Sequence, residues 1–207
     1  IPTFSIHWNG WGADTMLLSM EQFRVFQPEK PTYALFGWPL GHTMSPELHA
    51  QLFAASGQDA DYIGVAVPPE DLPEAFELAK RRLGGINCTI PHKKAVIPLL
   101  DEVDTAARNL HSVNTVAFRD GKAVGYNTDI LGFAESLTRD GIRLRGKKVL
   151  LLGYGGAASV MAYHCVTQGA YLTITGRNLD KAESLRQQLC AAVPGAHIAV
   201  YNRRHIP

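Results

Sequence analysis

Gly84-Gly85-Ile86-Asn87-Cys88-Thr89-Ile90-Pro91-His92-Lys93-Lys94 is the stretch around which the chain is organised. Residues 86–90 read as a short buried strand in which polar Asn87 and Thr89 alternate with apolar neighbours. A glycine pair precedes it and a proline follows, so the strand is expected to end abruptly at a crevice. In an open α/β sheet, ligands bind beyond the carboxyl ends of the strands. An amide (Asn87), a hydroxyl (Thr89) and an amine (Lys93) would then meet at one strand end. Amide and hydroxyl both donate and accept, which suits a ligand bearing several alcohols. The amine is the group of the three suited to moving a proton. An ordinary strand with an exposed threonine and a surface lysine is the plain alternative, and this stretch alone leaves both readings open.

Upstream, Tyr33-Ala34-Leu35-Phe36 is a short apolar strand closed by Gly37-Trp38-Pro39-Leu40-Gly41. In the following turn Ser45 is a natural N-cap and Pro46 a first helical residue, with Leu48, Leu52 and Phe53 as the apolar stripe. Capping alone accounts for Ser45. Thr43 has no such duty on this reading, which leaves its hydroxyl freer for a ligand. Residues 61–67 read as a second strand, and 69–82 as a helix with Leu72, Phe76 and Leu83 on one side.

Downstream, the pattern predicts a short helix over residues 93–100 and another, capped by Asp104, to about residue 110. Strands over 112–118 and 122–126 flank Arg119-Asp120-Gly121, a hairpin signal. Alternating strands and helices indicate a largely parallel sheet with that hairpin at an antiparallel margin. Asn127-Thr128-Asp129 opens a helix to about residue 139. Asp129 in its first turn can simply complement the helix dipole, which competes with a catalytic role.

A second domain is expected to begin between residues 127 and 147. Residues 148–152 form a buried strand, then Gly153-Tyr154-Gly155-Gly156-Ala157-Ala158 leads into a helix to about residue 168. This is the dinucleotide fingerprint in its Gly-x-Gly-x-x-Ala form, in the strand–turn–helix context it requires. A purely structural turn is the alternative. The next strand, 171–175, ends in Gly176-Arg177-Asn178, where a fold preferring NAD places Asp or Glu. Arg177 there, with Lys181 one turn into the next helix, fits the 2′-phosphate of NADP; a solvated basic helix start is the alternative. A third strand spans 197–201. About 60 residues follow Lys147, room for one βαβ unit and a little more. A full dinucleotide domain has two such halves. The domain is therefore expected to be incomplete, with residues 203–207 at its edge.

With 46% hydrophobic and 19% charged residues among 207, the composition is that of a soluble globular chain with room for two modest α/β domains. A net charge of +1 gives no electrostatic reason to expect nucleic acid or an anionic membrane as partner. Cys88, Cys165 and Cys190 are odd in number and suit a reducing cytoplasm better than disulfides; none has metal-ligand neighbours. The weakly charged run 149–166 is broken by five small residues, against a membrane span. Residues 1–19 lack a signal-peptide pattern and read as an extension, with Met20 a natural start; an N-terminal segment that covers the domain is the alternative.

Taken together, the Gly-His-Thr-Met-Ser-Pro turn, Asn87 to Lys93, Val113-Asn114-Thr115, Asn127-Thr128-Asp129 and the glycine loop resemble the shikimate dehydrogenase family, from about residue 33 to 189. The resemblance implies NADPH-dependent reversible reduction of 3-dehydroshikimate to shikimate. It implies that Thr43 and Ser45 hold the substrate carboxylate, that Asn87, Thr89, Asn114 and Asp129 bind ring hydroxyls, and that Lys93 and Asp129 form the catalytic pair. Gly153, Gly155, Gly156 and Ala157 would bind pyrophosphate, and Arg177, Asn178 and Lys181 would surround the 2′-phosphate. Tyr154 replaces the small residue usual in the loop and predicts a weaker cofactor fit, not exclusion. Quinate/shikimate dehydrogenase, or a non-catalytic or truncated binding relative, is the alternative. The fold class expected is α/β: an N-terminal substrate domain with a mostly parallel sheet, followed by a Rossmann-like dinucleotide-binding domain truncated at its C-terminus. The expected division is 1–30 extension, 31–128 substrate domain and 129–207 NADP-binding domain. A small-molecule substrate and a monomer or homodimer complete the expectation.

Overall fold

A computed structural model describes residues 16–41 and 43–202. The chain opens with β1 (Leu17–Leu18) and α1 (Met20–Val25), followed by β2 (Thr32–Gly37), α2 (Ser45–Ser56) and β3 (Asp61–Ala66). Then come α3 (Leu72–Arg82), β4 (Gly85–Cys88), α4 (His92–Ala95), β5 (Glu102–Val103) and α5 (Thr105–Leu110). The hairpin β6 (Thr115–Arg119) and β7 (Lys122–Tyr126) leads to α6 (Asp129–Arg139). Last are β8 (Lys148–Leu152), α7 (Gly156–Thr167), β9 (Tyr171–Gly176), α8 (Leu179–Ala192) and β10 (Ile198–Asn202).

Among the described residues, seven strands form one sheet in the order β1-β3-β2-β4-β6-β7-β5, and three form another in the order β10-β9-β8. The first sheet is parallel from β1 to β4 and turns antiparallel at β6 and β7. The hairpin is not its outermost margin, because β5 adds to β7 in parallel. The second sheet is parallel throughout, one βαβαβ half of a doubly wound fold. Helix α6 packs Phe133 and Leu137 on Cys165 and Ala170, so it leans on the second sheet's side. Asn109 of α5 joins the two sheets' layers: its side-chain Nδ2 donates to Tyr163 Oη at 2.9 Å, and its backbone carbonyl accepts from Gln188 Nε2 at 3.2 Å. Among the described residues no helix is long and apolar enough to cross a membrane.

The segment assigned to an N-terminal extension is in part structural. Leu17 and Leu18 pair with Gly64 and Val65, and Met20 and Phe23 are buried in the first core. Arg82 Nη1 donates to the carbonyls of Phe23, Arg24 and Phe26, closing the C-terminal end of α1. Arg24 pairs with Glu74 of α3 at 2.8 Å. Two buried side chains and a triple cap bind this helix to α3; a short amphipathic helix carries no such signal in its sequence alone. Residues 1–15 lie outside the described residues, as do His42 of the serine turn and residues 203–207.

Other boundaries shift for local reasons. The central strand ends at Cys88, although Thr89 N still donates to Phe36 O at 2.9 Å. The helix expected over 93–100 divides into α4 and a 3₁₀ turn at Ile97–Leu99 that contains Pro98. Ser45 is not a cap: the cap position is Met44, which makes no side-chain bond, and Ser45 and Pro46 open the helix. Leu48 and Leu52 are exposed, so the expected stripe on α2 does not face the core; Phe53 leans on Tyr33 instead.

His92 pins the turn between β4 and α4. It is fully buried, and its Nε2–H donates to Val67 O at 2.8 Å, while Nδ1 has no partner among the described residues. Burial holds this imidazole below its usual range, partly offset by the Val67 bond. A second proton would sit on the unpartnered Nδ1 in an apolar setting.

The packing sets two expectations. Below the unfolded histidine value of about 6.5, the unfolded chain takes a proton that folded His92 resists, so stability falls with pH until the folded imidazole also charges. Denaturant midpoints measured from pH 7.5 downward should fall below about pH 6.5, and less steeply in His92→Asn; identical profiles would refute the pinning role. At Gly85 an added Cβ would stand 2.6 Å from Val116 O, a backbone atom of the neighbouring strand. Gly85→Ala should therefore cost roughly 1–3 kcal/mol in urea unfolding, and an unchanged midpoint would show that β4 and β6 have slack there.

Candidate active site

The carboxyl ends of β2 and β4 lie side by side, and both run into prolines joined by cis peptides, at Trp38-Pro39 and Ile90-Pro91. Trp38 N donates to Ile90 O at 3.0 Å, which ties the two strand exits together. Chain leaving β4 turns straight into α4, whose second residue is Lys93. Val113 N donates to Lys93 O at 2.8 Å, fixing that backbone against the approach to β6.

Lys93 Nζ donates to Asp129 Oδ2 at 2.8 Å. The side chains are 28% and 41% exposed, so the pair stands at a surface opening. Asp129 Oδ1 accepts from Asn114 Nδ2 at 2.8 Å. Asn114 Oδ1 in turn accepts from Thr128 N at 2.9 Å and from Thr115 Oγ1 at 3.0 Å. Asp129 N donates to Asn127 Oδ1 at 3.2 Å, and Asn127 Nδ2 reaches Ser112 O at 2.9 Å. Both oxygens of the carboxylate and the start of α6 are thus held, from α4 on one side and from β6 and its approach on the other. Asp129 also occupies the first turn of α6, where a carboxylate complements the helix dipole.

Asn87 is committed to the scaffold. Its Nδ2 donates to Asn114 O at 3.0 Å and Thr115 Oγ1 at 2.9 Å, and its Oδ1 accepts from Tyr62 Oη at 2.7 Å. One lone pair of Oδ1 is left for a ligand. Tyr62 lies under the stacked ring of His49, 3.8 Å between centroids, and burial pushes its phenol well above the usual range, so it stays a donor. Thr89 Oγ1 has no hydrogen-bond partner among the described residues, while its methyl faces Gly37. Cys88, buried between them, is pushed up to about 12 by burial despite the nearby Lys93 charge, so it stays a neutral thiol.

Thr43 and Ser45 form their own pair. Thr43 Oγ1 donates to Ser45 Oγ at 3.2 Å and accepts from Ser45 N at 3.2 Å. The expectation that Thr43 is free of structural duty is therefore corrected: its oxygen serves the open turn that Ser45 was expected to cap. Ser45's hydroxyl proton has no acceptor among the described residues. Tyr62, Thr115, Asn127 and Thr128, which support the network, were not singled out from the sequence as site residues of their own. Thr115, Asn127 and Thr128 stand in motifs that carry the resemblance; Tyr62, two strands away from Asn87, carries no such signal.

On the second sheet, Gly153 adopts φ +116°, a left-handed conformation suited to glycine, and turns the chain into α7. The cap residue Gly155 offers no side chain to the first turn, and a Cβ at Gly155 or Gly156 would meet nothing within 4 Å. The N–H groups of Gly156, Ala157 and Ala158 are therefore an open anion cradle. Asn178 caps α8, accepting from Lys181 N at 3.0 Å through Oδ1 and keeping its amide hydrogens. Arg177 and Lys181 have no side-chain ion pair among the described residues; Asp180 in the same turn offsets part of their charge.

Residues 35–116 match the family model of the shikimate dehydrogenase substrate binding domain. The shikimate dehydrogenase (NADP(+)) of Carboxydothermus hydrogenoformans is 45% identical over 152 residues, which cover 73% of this chain and 54% of that protein. The crystal structure of shikimate dehydrogenase from Aquifex aeolicus is similar with a TM-score of 0.77 at 36% identity, over 86% of this chain and 64% of that one. Shikimate 5-dehydrogenase from Thermus thermophilus, in complex with NADP(H) and shikimate, gives 0.74 at 30% identity, over 84% and 68%. This chain spans about half the length of the curated relatives it matches. With the family match lying across β4, α4 and the approach to β6, which carry Asn87, Lys93 and Asn114, and the likeness reaching most of the chain, the protein belongs to the shikimate dehydrogenase family.

Proposed function

We propose that the site serves NADP-dependent shikimate dehydrogenation, the reversible reduction of 3-dehydroshikimate to shikimate. The observation that carries this reading is the Lys93–Asp129 contact at 2.8 Å, held by Asn114 at a surface opening. An amine and a carboxylate side by side can serve a carbonyl and its neighbouring hydroxyl together. Thr89 Oγ1 and the remaining lone pair of Asn87 Oδ1 suit further ring hydroxyls. Asn114 reaches a ring hydroxyl by releasing Thr128 Oγ1, its longer contact at 3.1 Å. The Ser45 and Thr43 hydroxyls would hold the substrate carboxylate.

The residues of the second sheet fit a phosphorylated dinucleotide: an uncapped helix start at Gly153, Gly155, Gly156 and Ala157 for the pyrophosphate, and Arg177, Asn178 and Lys181 for a ribose 2′-phosphate. The division at residues 128 and 129 then assigns substrate to the first sheet and cofactor to the second. When bound, NADPH supplies the hydride for the carbonyl carbon. Charge developing on the carbonyl oxygen is met by a proton from Lys93 Nζ; in reverse, the neutral amine takes the proton of the alcohol. Asp129 holds that amine in place and accepts from the adjacent ring hydroxyl. Two of the three free cysteines are buried, in keeping with a reducing cytoplasm, and the substrate is a small molecule bound by a monomer or homodimer.

The reading is tested by absorbance at the reduced-nicotinamide band, with shikimate or quinate paired in turn with NADP⁺ or NAD⁺. Turnover should be highest with shikimate and NADP⁺; a preference for quinate with NAD⁺ would contradict it. Lys93→Ala should lower turnover by roughly 10²–10⁴ with the Michaelis constants nearly unchanged, and near-normal turnover would remove Lys93 from the chemistry.

A further inference from the structure

We propose that Tyr154 covers the ribose 2′ subsite and narrows the protein's preference for a 2′-phosphorylated ribose over a plain one. The inference rests on the reading of residues 148–202 as the adenosine half of a dinucleotide site. In a doubly wound fold, the residues at the end of the second strand meet the ribose 2′ oxygen. Here those are Gly176, which ends β9, and the following Arg177 and Asn178.

Tyr154 reaches this point from the glycine loop. Its ring lies so close to Gly176 that an added Cβ there would collide with Tyr154 Cε1 and stand 2.9 Å from Cδ1. Its hydroxyl accepts from Asn178 N at 3.1 Å. The phenol therefore spans from the exit of β8 to the exit of β9 and takes up the backbone donor at the start of α8. Gly176 is the residue that admits the ring so closely.

A 2′-phosphate arriving between Arg177 and Lys181 would find two cations, but the Asn178 N–H beside them is already bonded. To gain that donor, an anionic oxygen must displace the phenol. A ribose 2′-hydroxyl is smaller and uncharged, needs no such displacement, and can accept the phenolic proton, for which no acceptor is found among the described residues. Tyr154 thus works against the two cations: they favour the phosphate, and the phenol reduces the advantage.

The test is calorimetric binding to the whole chain, with adenosine 2′,5′-bisphosphate and adenosine 5′-monophosphate as probes. The bisphosphate-to-monophosphate affinity ratio should rise roughly 3- to 10-fold in Tyr154→Ala, the fold-change of one hydrogen bond's net worth, and in the same direction in Tyr154→Phe, which keeps the ring. A ratio that is unchanged or falls in both variants would overturn the inference, because Tyr154 would then be neutral or a supporting contact. Failure of either probe to bind wild type and variants alike, in samples folded by circular dichroism, would instead overturn the cofactor reading and the inference with it.

Discussion

Asn114 sits where β6 begins, and its side-chain amide holds Asp129 on one side and the start of α6 on the other. It is 8% exposed, so each of its polar atoms must find a partner in the protein or carry an unpaired cost of about 1–3 kcal/mol. That requirement connects the first sheet to the helix that follows it. The same bonds fix the carboxylate that pairs with Lys93. Around it, Asn87 and Thr115 sit opposite one another across β4 and β6, and Tyr62 closes the chain of bonds from β3. The Lys93–Asp129 pair is partly open to solvent, while Asn114 and Asn127, which hold it, lie deeper. Such an arrangement gives a small, mobile ligand a rigid wall without burying a charge alone.

How much of this was legible in the sequence depended on the kind of signal. Strands β2, β4, β7 and β8 and the Asp-Gly hairpin followed from local pattern, because each is bounded by glycine, proline or a turn dipeptide. The glycine loop was legible for the same reason. Lys93, Asn114 and Asp129 were not separable by pattern from a surface lysine, a strand-end amide and a dipole-complementing acid; the family resemblance singled them out. The bonds of Asn87 explain why alternation was a weak guide there. A polar residue on a buried strand can face a polar network as well as solvent, and period alone does not distinguish the two.

The misreadings share a cause in tertiary contact and local geometry. Ser45 had every local mark of a cap, yet the proline behind it sits one position deeper in the helix and Thr43 supplies the oxygen instead. Leu48 and Leu52 had helical spacing, but spacing does not say whether a stripe meets a core. Met20 and Phe23 belong to the core through α3 and Arg82, far away in sequence, a connection no window of local residues contains. Cys88 shows the converse. Its place beside Lys93 invites a chemical role, and burial removes it by keeping the thiol protonated.

The proposed shikimate site lies at the exits of β2 and β4, with Asn114 and Asp129. Titrating the ¹⁵N-labelled chain with shikimate, and reading the side-chain amide signals of Asn87 and Asn114 with the backbone signals of Thr89 and Lys93, tests it most directly. Saturable shifts should be concentrated at these residues and absent from α8. Shifts that leave these signals in place while moving others, or no shifts in a folded sample, would contradict it.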